Sequence, residues 1–132
     1  MAYDTGIALC NTTGTLSSTG VFSPATPNGS QIGTFTVDLF PTKDTVPATP
    51  LQLKSDQAGF PGGATLTAGA LAPGNCWQAL LSEVLKAATP SVTGDWKGYA
   101  RVTTTWNVTS TGFAFISQFA QQGGSTMGYV AQ

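Results

Sequence analysis

The stretch from Gly98 to Val108 reads GYARVTTTWNV and decides the fold class. Its even-numbered positions place Ala, Val, Thr, Trp and Val on one face of an extended chain, and its odd-numbered positions place Tyr, Arg, Thr, Thr and Asn on the other. A β-strand with one buried face and one exposed face has this period of two. The stretch therefore predicts a half-buried strand.

Strand-like segments recur on both sides of this stretch. Each is an alternating or short apolar run bounded by residues that favour turns. The segments are residues 5–10, 32–40, 64–71, 113–119 and 126–131. About seven short strands in a chain of this length are typical of an antiparallel sandwich. We therefore expect one domain, residues 1–132, with a mainly β, antiparallel, immunoglobulin-like β-sandwich fold.

One segment has the period of a helix instead. Asn75 and Gln78 have the spacing of an N-terminal capping box, and Thr89-Pro90 supplies a stop signal. Between them, apolar residues recur at intervals of three and four, as on one face of an α-helix. These residues are Trp77, Leu80, Leu81, Val84, Leu85 and Ala88. The pattern predicts one short amphipathic helix at about residues 75–88, packed against the sandwich.

The composition argues against several classes of function. Only 8% of the residues are charged, against roughly 25% in an average soluble domain. The formal net charge is −1, and the absence of a basic cluster argues against nucleic-acid binding, which depends on Lys and Arg. No apolar run approaches the ~18 residues of a membrane span. Because the chain has no His, the usual proton carrier near pH 7 is missing, and we expect no enzyme activity and no cofactor.

Three segments of the last third resemble a known pattern. They are Gly98–Val102 (GYARV), Gly112–Ser117 (GFAFIS) and Met127–Ala131 (MGYVA). Together they resemble the strands of uncharacterised bacterial exported and surface β-sandwich domains, and Thr5–Asn11 (TGIALCN) is similar to the opening strand of such domains. The resemblance implies a secreted or cell-surface protein whose signal segment lies outside this chain. It implies no known active site.

The two cysteines, Cys10 and Cys76, have two interpretations. In an exported protein a structural disulfide is favoured, and two buried free thiols are the alternative. A nucleophilic cysteine is disfavoured because no His is available as its base. A metal site is disfavoured as well, since two thiolates supply only half of a tetrahedral set. No metal site is predicted.

Trp96 and Tyr99 are the candidate ligand-stacking residues. They lie close to Asp95 and Asn107, and sugars often stack on exposed aromatic rings. The alternative for Trp96 is a place in the core, beside the strand that it precedes. This pair supports the second function that we consider, a ligand-binding module whose most favoured ligand is a carbohydrate.

The leading functional prediction rests on the scarcity of charge in the strands. Proteins commonly protect sheet edges with charged side chains, but the final segment from Thr126 to Gln132 has none. Thr126, Tyr129 and Val130 are therefore the candidate assembly edge. We expect a structural, self-associating extracellular protein: a surface or filament subunit, or an assembly module of a larger surface protein. The alternative is a monomer whose edges are covered by loops.

Overall fold

The chain is mainly β. The computed structural model describes residues 4–11, 14–16, 22–24, 31–106, 111–117 and 126–131, with side chains for residues 4–11 and 31–106. Within these ranges the strands are β1 (Asp4–Cys10), β2 (Gly14–Leu16), β3 (Phe22–Pro24), β4 (Phe35–Pro41), β5 (Leu51–Lys54), β6 (Cys76–Leu80), β7 (Gly98–Thr104), β8 (Thr111–Ser117) and β9 (Thr126–Ala131). The α-helix of this part of the chain, α1, spans Leu81–Ala87.

The strands form antiparallel sheets. The first has four strands in the order β6-β1-β8-β9, and the second has three in the order β5-β4-β7. Strands β2 and β3 pair with each other. Every strand pair described is antiparallel, which confirms the predicted mainly β, antiparallel class.

The four-stranded and the three-stranded sheet contribute to one hydrophobic core. In β4 and β5 the inward positions alternate with more exposed ones, as the period of two predicts. The strand residues in the core cluster are Ile7, Leu9, Trp77 and Ala79 from the first sheet, and Phe35, Val37, Leu39, Leu51 and Leu53 from the second. Because both sheets pack against this shared core, the arrangement is consistent with a β-sandwich.

Three aromatic rings lie together in the core. Trp77 is fully buried and Phe35 is 1% exposed. Their ring centroids are 5.0 Å apart, and Phe60 lies 5.5 Å from Phe35 and 5.4 Å from Trp77. The indole Nε1 of Trp77 donates a hydrogen bond to the carbonyl oxygen of Pro61 at 2.8 Å. This cluster joins the two sheets to the loop that precedes β6.

Gly62 allows that loop to pack tightly against β6. Its φ angle is +70°, a conformation that glycine adopts without steric cost. A Cβ at this position would overlap the carbonyl oxygen of Gln78 and would lie 2.6 Å from Nε1 of Trp77. Glycine is therefore required here both by the backbone angle and by the close approach.

The predicted helix at about 75–88 is wrong in its first half. Residues 76–80 form β6, which pairs with β1 from Gly6↔Leu80 to Cys10↔Cys76. The helix begins at Leu81 instead. Glu83 accepts a hydrogen bond from the backbone N–H of Leu80 at 3.0 Å, so the predicted capping interaction of Gln78 with Asn75 is replaced by one five residues later.

The predicted strand at 64–71 is also wrong. The segment begins in a 3-10 turn at Gly63–Thr65. Thr67 and Ala70 then exchange two backbone hydrogen bonds of 2.9 Å across a tight turn, in which Ala68 has a φ of 49° and Gly69 a φ of 80°. The chain therefore turns back on itself where the sequence pattern predicted an extended strand.

Candidate functional site

The outer face of the three-stranded sheet carries two cross-strand rows of side chains. Asp38 and Phe40 point to this face because they alternate with the buried core residues of β4. The register places Phe40 opposite Tyr99, and it places Asp38 between Gln52 and Arg101. We call these two sets the aromatic row (Phe40, Tyr99) and the polar row (Gln52, Asp38, Arg101).

The polar row is fully connected by hydrogen bonds. Arg101 donates from Nε and Nη2 to Oδ2 of Asp38 at 3.3 and 3.0 Å. Gln52 donates from Nε2 to Oδ1 of Asp38 at 2.8 Å. The side chain of Asp38 is 10% exposed, whereas that of Arg101 is 65% exposed. A mostly buried carboxylate thus holds the guanidinium at the surface in a fixed position.

These contacts favour the charged form of Asp38. The hydrogen bond from Gln52 holds the pKa of Asp38 below its ordinary value. Burial opposes this lowering because it disfavours charge, and the hydrogen bond and positive charge of Arg101 add to it. The lowered pKa means that Asp38 contributes to stability as a carboxylate.

We expect the contribution of Asp38 to depend on pH in one direction. Because its pKa is lower in the folded chain than the value of about 3.9 in an unfolded one, its stabilisation is complete above that value. It is lost as the pH falls through the folded pKa. Asp38→Asn should lower the free energy of unfolding by about 1 kcal/mol at pH 7, and the difference from wild type should shrink below about pH 4.

Urea unfolding curves of both proteins between neutral and acidic pH measure this effect. Asp44→Asn is the matched control, since Asp44 is an exposed carboxylate in the loop after β4. A constant difference between Asp38→Asn and wild type at every pH would show that the carboxylate charge does not stabilise the fold.

The aromatic row places an exposed ring on an ordered support. Tyr99 is 64% exposed, yet its ring stacks on that of Phe40 with centroids 4.9 Å apart and an interplanar angle of 14°. The guanidinium carbon of Arg101 lies 5.2 Å from the centroid of Phe40, within the range of a cation–π contact. Phe40 therefore connects the two rows.

Trp96 does not join Tyr99 on this face. A Cβ at Gly98 would overlap Cη2 of the Trp96 ring, and Gly98 points to the opposite face of β7 from its neighbour Tyr99. The Trp96 ring is partly buried and packs against the core. Its Nε1 is buried, without a hydrogen-bond partner among the described residues. The two candidate stacking residues thus lie on opposite sides of the sheet.

Trp96 instead borders a groove of about 860 Å³ beside α1. The groove is lined by α1, the start of β1 and residues 92–97. Its charged side chains are of both signs and include Asp4, Glu83, Lys86 and Lys97. Asp4 is already engaged, since its carboxylate accepts hydrogen bonds from the backbone N–H and the hydroxyl of Ser82. The groove is therefore lined by charges of both signs, and one of its carboxylates is already hydrogen-bonded within the molecule.

The candidate assembly edge lies in β9, the last strand of the four-stranded sheet. Thr126 pairs with Ser117 of β8 in its backbone register. Tyr129 and Val130 lie opposite Ala114 and Phe113. At the end of the other sheet, β7 pairs with β4.

Cys10 and Cys76 form a disulfide between facing residues of β1 and β6. The chain next to it is held by the fully buried Asn11. Nδ2 of Asn11 donates to the carbonyl oxygens of Gln31 and Leu71 at 2.7 and 2.8 Å. Its backbone N–H donates to Asn75 at 2.9 Å, and its carbonyl accepts from Gly74 at 2.8 Å. We call this set of contacts the Asn11 junction.

No group of three or more His, Cys, Asp or Glu side chains among the described residues is arranged to hold a metal ion. None of the helices described has the length and apolar character that crossing a membrane requires.

Comparison with known proteins does not assign this chain to a family. No protein-family model, no curated protein and no solved structure matches the chain. The resemblance to bacterial exported domains therefore stays a prediction. The segments that carry it do lie in strands, because GFAFIS is part of β8 and MGYVA is part of β9.

Sequence reasoning missed three members of the two rows. Asp38 lies in the predicted strand segment 32–40, where it alternates with the apolar residues Val37 and Leu39, but the pattern gives no partner for it. Phe40, Gln52 and Arg101 were not singled out, because each looks ordinary within its own strand. Only the register of β4 with both of its neighbours brings the five side chains together.

Proposed function

We propose that this chain is a structural, self-associating extracellular protein, acting as a surface or filament subunit or as an assembly module of a larger surface protein. The observation that supports this most directly is the character of β7. This seven-residue strand ends its sheet, and its first four residues, Gly98–Arg101, are all exposed. Its one charged residue, Arg101, is ion-paired with Asp38 within the same molecule.

A strand at the end of a sheet offers backbone hydrogen bonds to another chain. In an antiparallel pair, alternate residues direct their N–H and C=O groups away from the partner strand. Unless charge, proline or a covering segment intervenes, these groups can bind an added strand. Gly98–Arg101 at the start of β7 are all exposed, and in the described sheet β7 pairs on one side only, with β4.

The other sheet ends differ in length and cover. β5 has only four residues and ends in Lys54, so it offers few hydrogen bonds and one unfavourable charge. β6 is approached closely by the loop at Gly62. β9 has six residues and no charged side chain in its sequence. Among the described strands, β7 and β9 are therefore the favoured pairing edges.

The disulfide supports the extracellular part of the proposal. Disulfides persist in oxidising compartments and are rare in reducing ones, and Cys10 and Cys76 are joined by one. We propose further that the protein is secreted, that its strands have the immunoglobulin-like arrangement, and that its assembled form is a homo-oligomer or polymer.

The proposal is tested by adding charge to each edge. We expect wild-type protein to form oligomers or fibres as its concentration rises, seen by sedimentation velocity and electron microscopy. Thr103→Lys in β7 and Thr126→Lys in β9 should each weaken association at least about tenfold, because lysine at an edge strand opposes pairing.

Thr49→Lys is the matched control, because it makes the same chemical change at an exposed residue of the loop between β4 and β5. It should assemble like wild type. Equal weakening by all three substitutions would point to net charge rather than to strand edges. Wild-type protein that stays monomeric at every concentration would contradict the proposal.

A second candidate function is ligand binding. One observation favours it: the ring of Tyr99 is 64% exposed although it is stacked on Phe40. An exposed ring in a fixed orientation is a binding element that requires no ordering when a ligand arrives.

A further inference from the structure

Two exposed side chains on the outer face of the three-stranded sheet have specific partners. Tyr99 and Arg101 are 64% and 65% exposed, and exposed residues of this kind contribute little to stability. Even so, Tyr99 is stacked on Phe40 and Arg101 is held by two hydrogen bonds to Asp38. Surface side chains whose positions are set by packing and hydrogen bonds to neighbours are a property of binding sites.

The hydrogen-bonding capacity of the polar row is only partly used. A guanidinium has five N–H donors, and the contacts with Asp38 come from Nε and Nη2. Gln52 is exposed, and its amide nitrogen donates to Asp38. Nη1 of Arg101 and the amide oxygen of Gln52 take no part in these contacts with the Asp38 carboxylate.

The electrostatics of this face favour an uncharged ligand. The positive charge of Arg101 is balanced by Asp38 at 3.0 Å, and the lowered pKa of Asp38 keeps that balance at neutral pH. A ligand carrying a phosphate or carboxylate would therefore have to compete with Asp38 for the guanidinium.

The spacing of the two rows fits one ring and its substituents. Tyr99 and Arg101 are two residues apart on β7 and point to the same side, which separates them by about 6.7 Å along the strand. A ring lying on the face of Tyr99 that Phe40 leaves free would thus have its edge within reach of Arg101. Gln52 lies two strands away on β5, where it fixes the Asp38 carboxylate that holds Arg101.

We propose that the aromatic row and the polar row form a carbohydrate-binding site. A sugar presents an apolar C–H face, which suits the electron-rich face of an aromatic ring, and it carries neutral hydroxyls that both donate and accept hydrogen bonds. Tyr99 binds the ring face and Arg101 binds the hydroxyls, while Gln52 and Asp38 hold Arg101 in position. This inference rests on the ligand-binding candidate above and does not depend on assembly at the strand edges.

The test is a titration of isotope-labelled protein with soluble cello-, chito- and manno-oligosaccharides at millimolar concentration, followed by NMR. At least one sugar should shift the backbone amides of residues 38–40 and 99–103. Tyr99→Ala should weaken its binding at least about tenfold, as expected for truncation of a central aromatic contact. Tyr99→Phe should stay within about twofold of wild type, because the ring is kept. Arg101→Gln should weaken binding while leaving the Tyr99 ring in place.

Ile32→Ala is the matched control. Ile32 is 58% exposed and precedes β4, so it lies at the far end of that strand from Phe40. It should bind sugar like wild type. Failure of every sugar to shift these amides, or undiminished binding by Tyr99→Ala, would overturn the proposal.

The same titration separates this site from the proposed assembly. Thr126→Lys keeps both rows intact and should bind the sugar as wild type does, even where it no longer assembles. A chain that assembles normally but binds none of the sugars contradicts the carbohydrate site alone. A chain that binds sugar but never assembles contradicts the strand-edge proposal alone.

Discussion

Trp77→Ala is expected to lower the free energy of unfolding by about 3–5 kcal/mol, the range for removing a large aromatic side chain from a packed core. Trp77 is fully buried and contacts the rings of both Phe35 and Phe60. Its loss leaves a cavity between the two sheets, and it leaves the carbonyl of Pro61 without its indole donor. Urea unfolding followed by circular dichroism measures the change without relying on tryptophan fluorescence.

Two other variants separate the contributions of the Trp77 ring, its hydrogen bond to Pro61 and its full burial. Trp77→Phe keeps an aromatic ring but loses the hydrogen bond to Pro61, so we expect a smaller loss of about 1–2 kcal/mol. Trp96→Ala removes the same side chain from a partly buried position, and it should cost less than Trp77→Ala. Equal losses at positions 77 and 96 would contradict the central place that we assign to Trp77.

Removing the disulfide is expected to have an effect of similar size. The bond joins residues separated by 66 positions, and closing a loop of that length is worth about 4 kcal/mol in the chain-entropy description. The double variant Cys10→Ser, Cys76→Ser should therefore unfold at a clearly lower urea concentration than the oxidised wild type. The backbone pairing of β1 with β6 should remain, because it does not depend on the sulfur atoms.

Reduced wild-type protein is the control for this prediction. It should match the double serine variant in stability, since both lack the covalent link. Mass spectrometry without reductant should show a wild-type mass lower than that of the reduced chain by two hydrogen atoms. A mass equal to that of the reduced chain would show that the two thiols are free in solution.

The strands were predictable where one face of the sheet meets the core. Val37 and Leu39 of β4 are fully buried, and Asp38 between them points to the other face. This contrast of burial is written into the sequence as a period of two. The prediction for β4 is confirmed for that reason. β1 is a strand as predicted, but its residues 6–9 are all buried, as befits an apolar run and not a period of two. β7 is a strand as well, but it ends at Thr104 and has no buried residue, so the half-buried strand predicted over 98–108 is wrong in its burial and in its end. The Ig-like topology stays a prediction.

The wrong start of the predicted helix shows that the spacing of apolar residues alone does not always distinguish a helix from a strand. In residues 76–80, Trp77 and Ala79 are the buried positions of a strand, but Trp77, Leu80 and Leu81 also fit one face of a helix. Local pattern alone does not decide between these. The deciding factor is the pairing of β6 with β1, a contact between residues about seventy positions apart that no local window contains.

The candidate site was predictable only in part for the same reason. Tyr99 was identified as a candidate because it is aromatic and lies on the polar side of its strand. Its support, Phe40, and the partner of Arg101, Asp38, lie about sixty residues earlier and depend on the register of β4 with β7. The separation of Trp96 from Tyr99 depends on Gly98, whose missing side chain leaves space for the indole.

The Asn11 junction has a consequence for the choice of expression host. Asn11, Thr12 and Thr13 form an N-x-T triplet, which the eukaryotic secretory pathway recognises as an acceptor for N-linked glycans. The atom that would carry the glycan is Nδ2, whose hydrogen bonds go to Gln31 and Leu71 inside a fully buried site. A glycan added before folding would prevent this junction from closing, so production without N-glycosylation suits this chain.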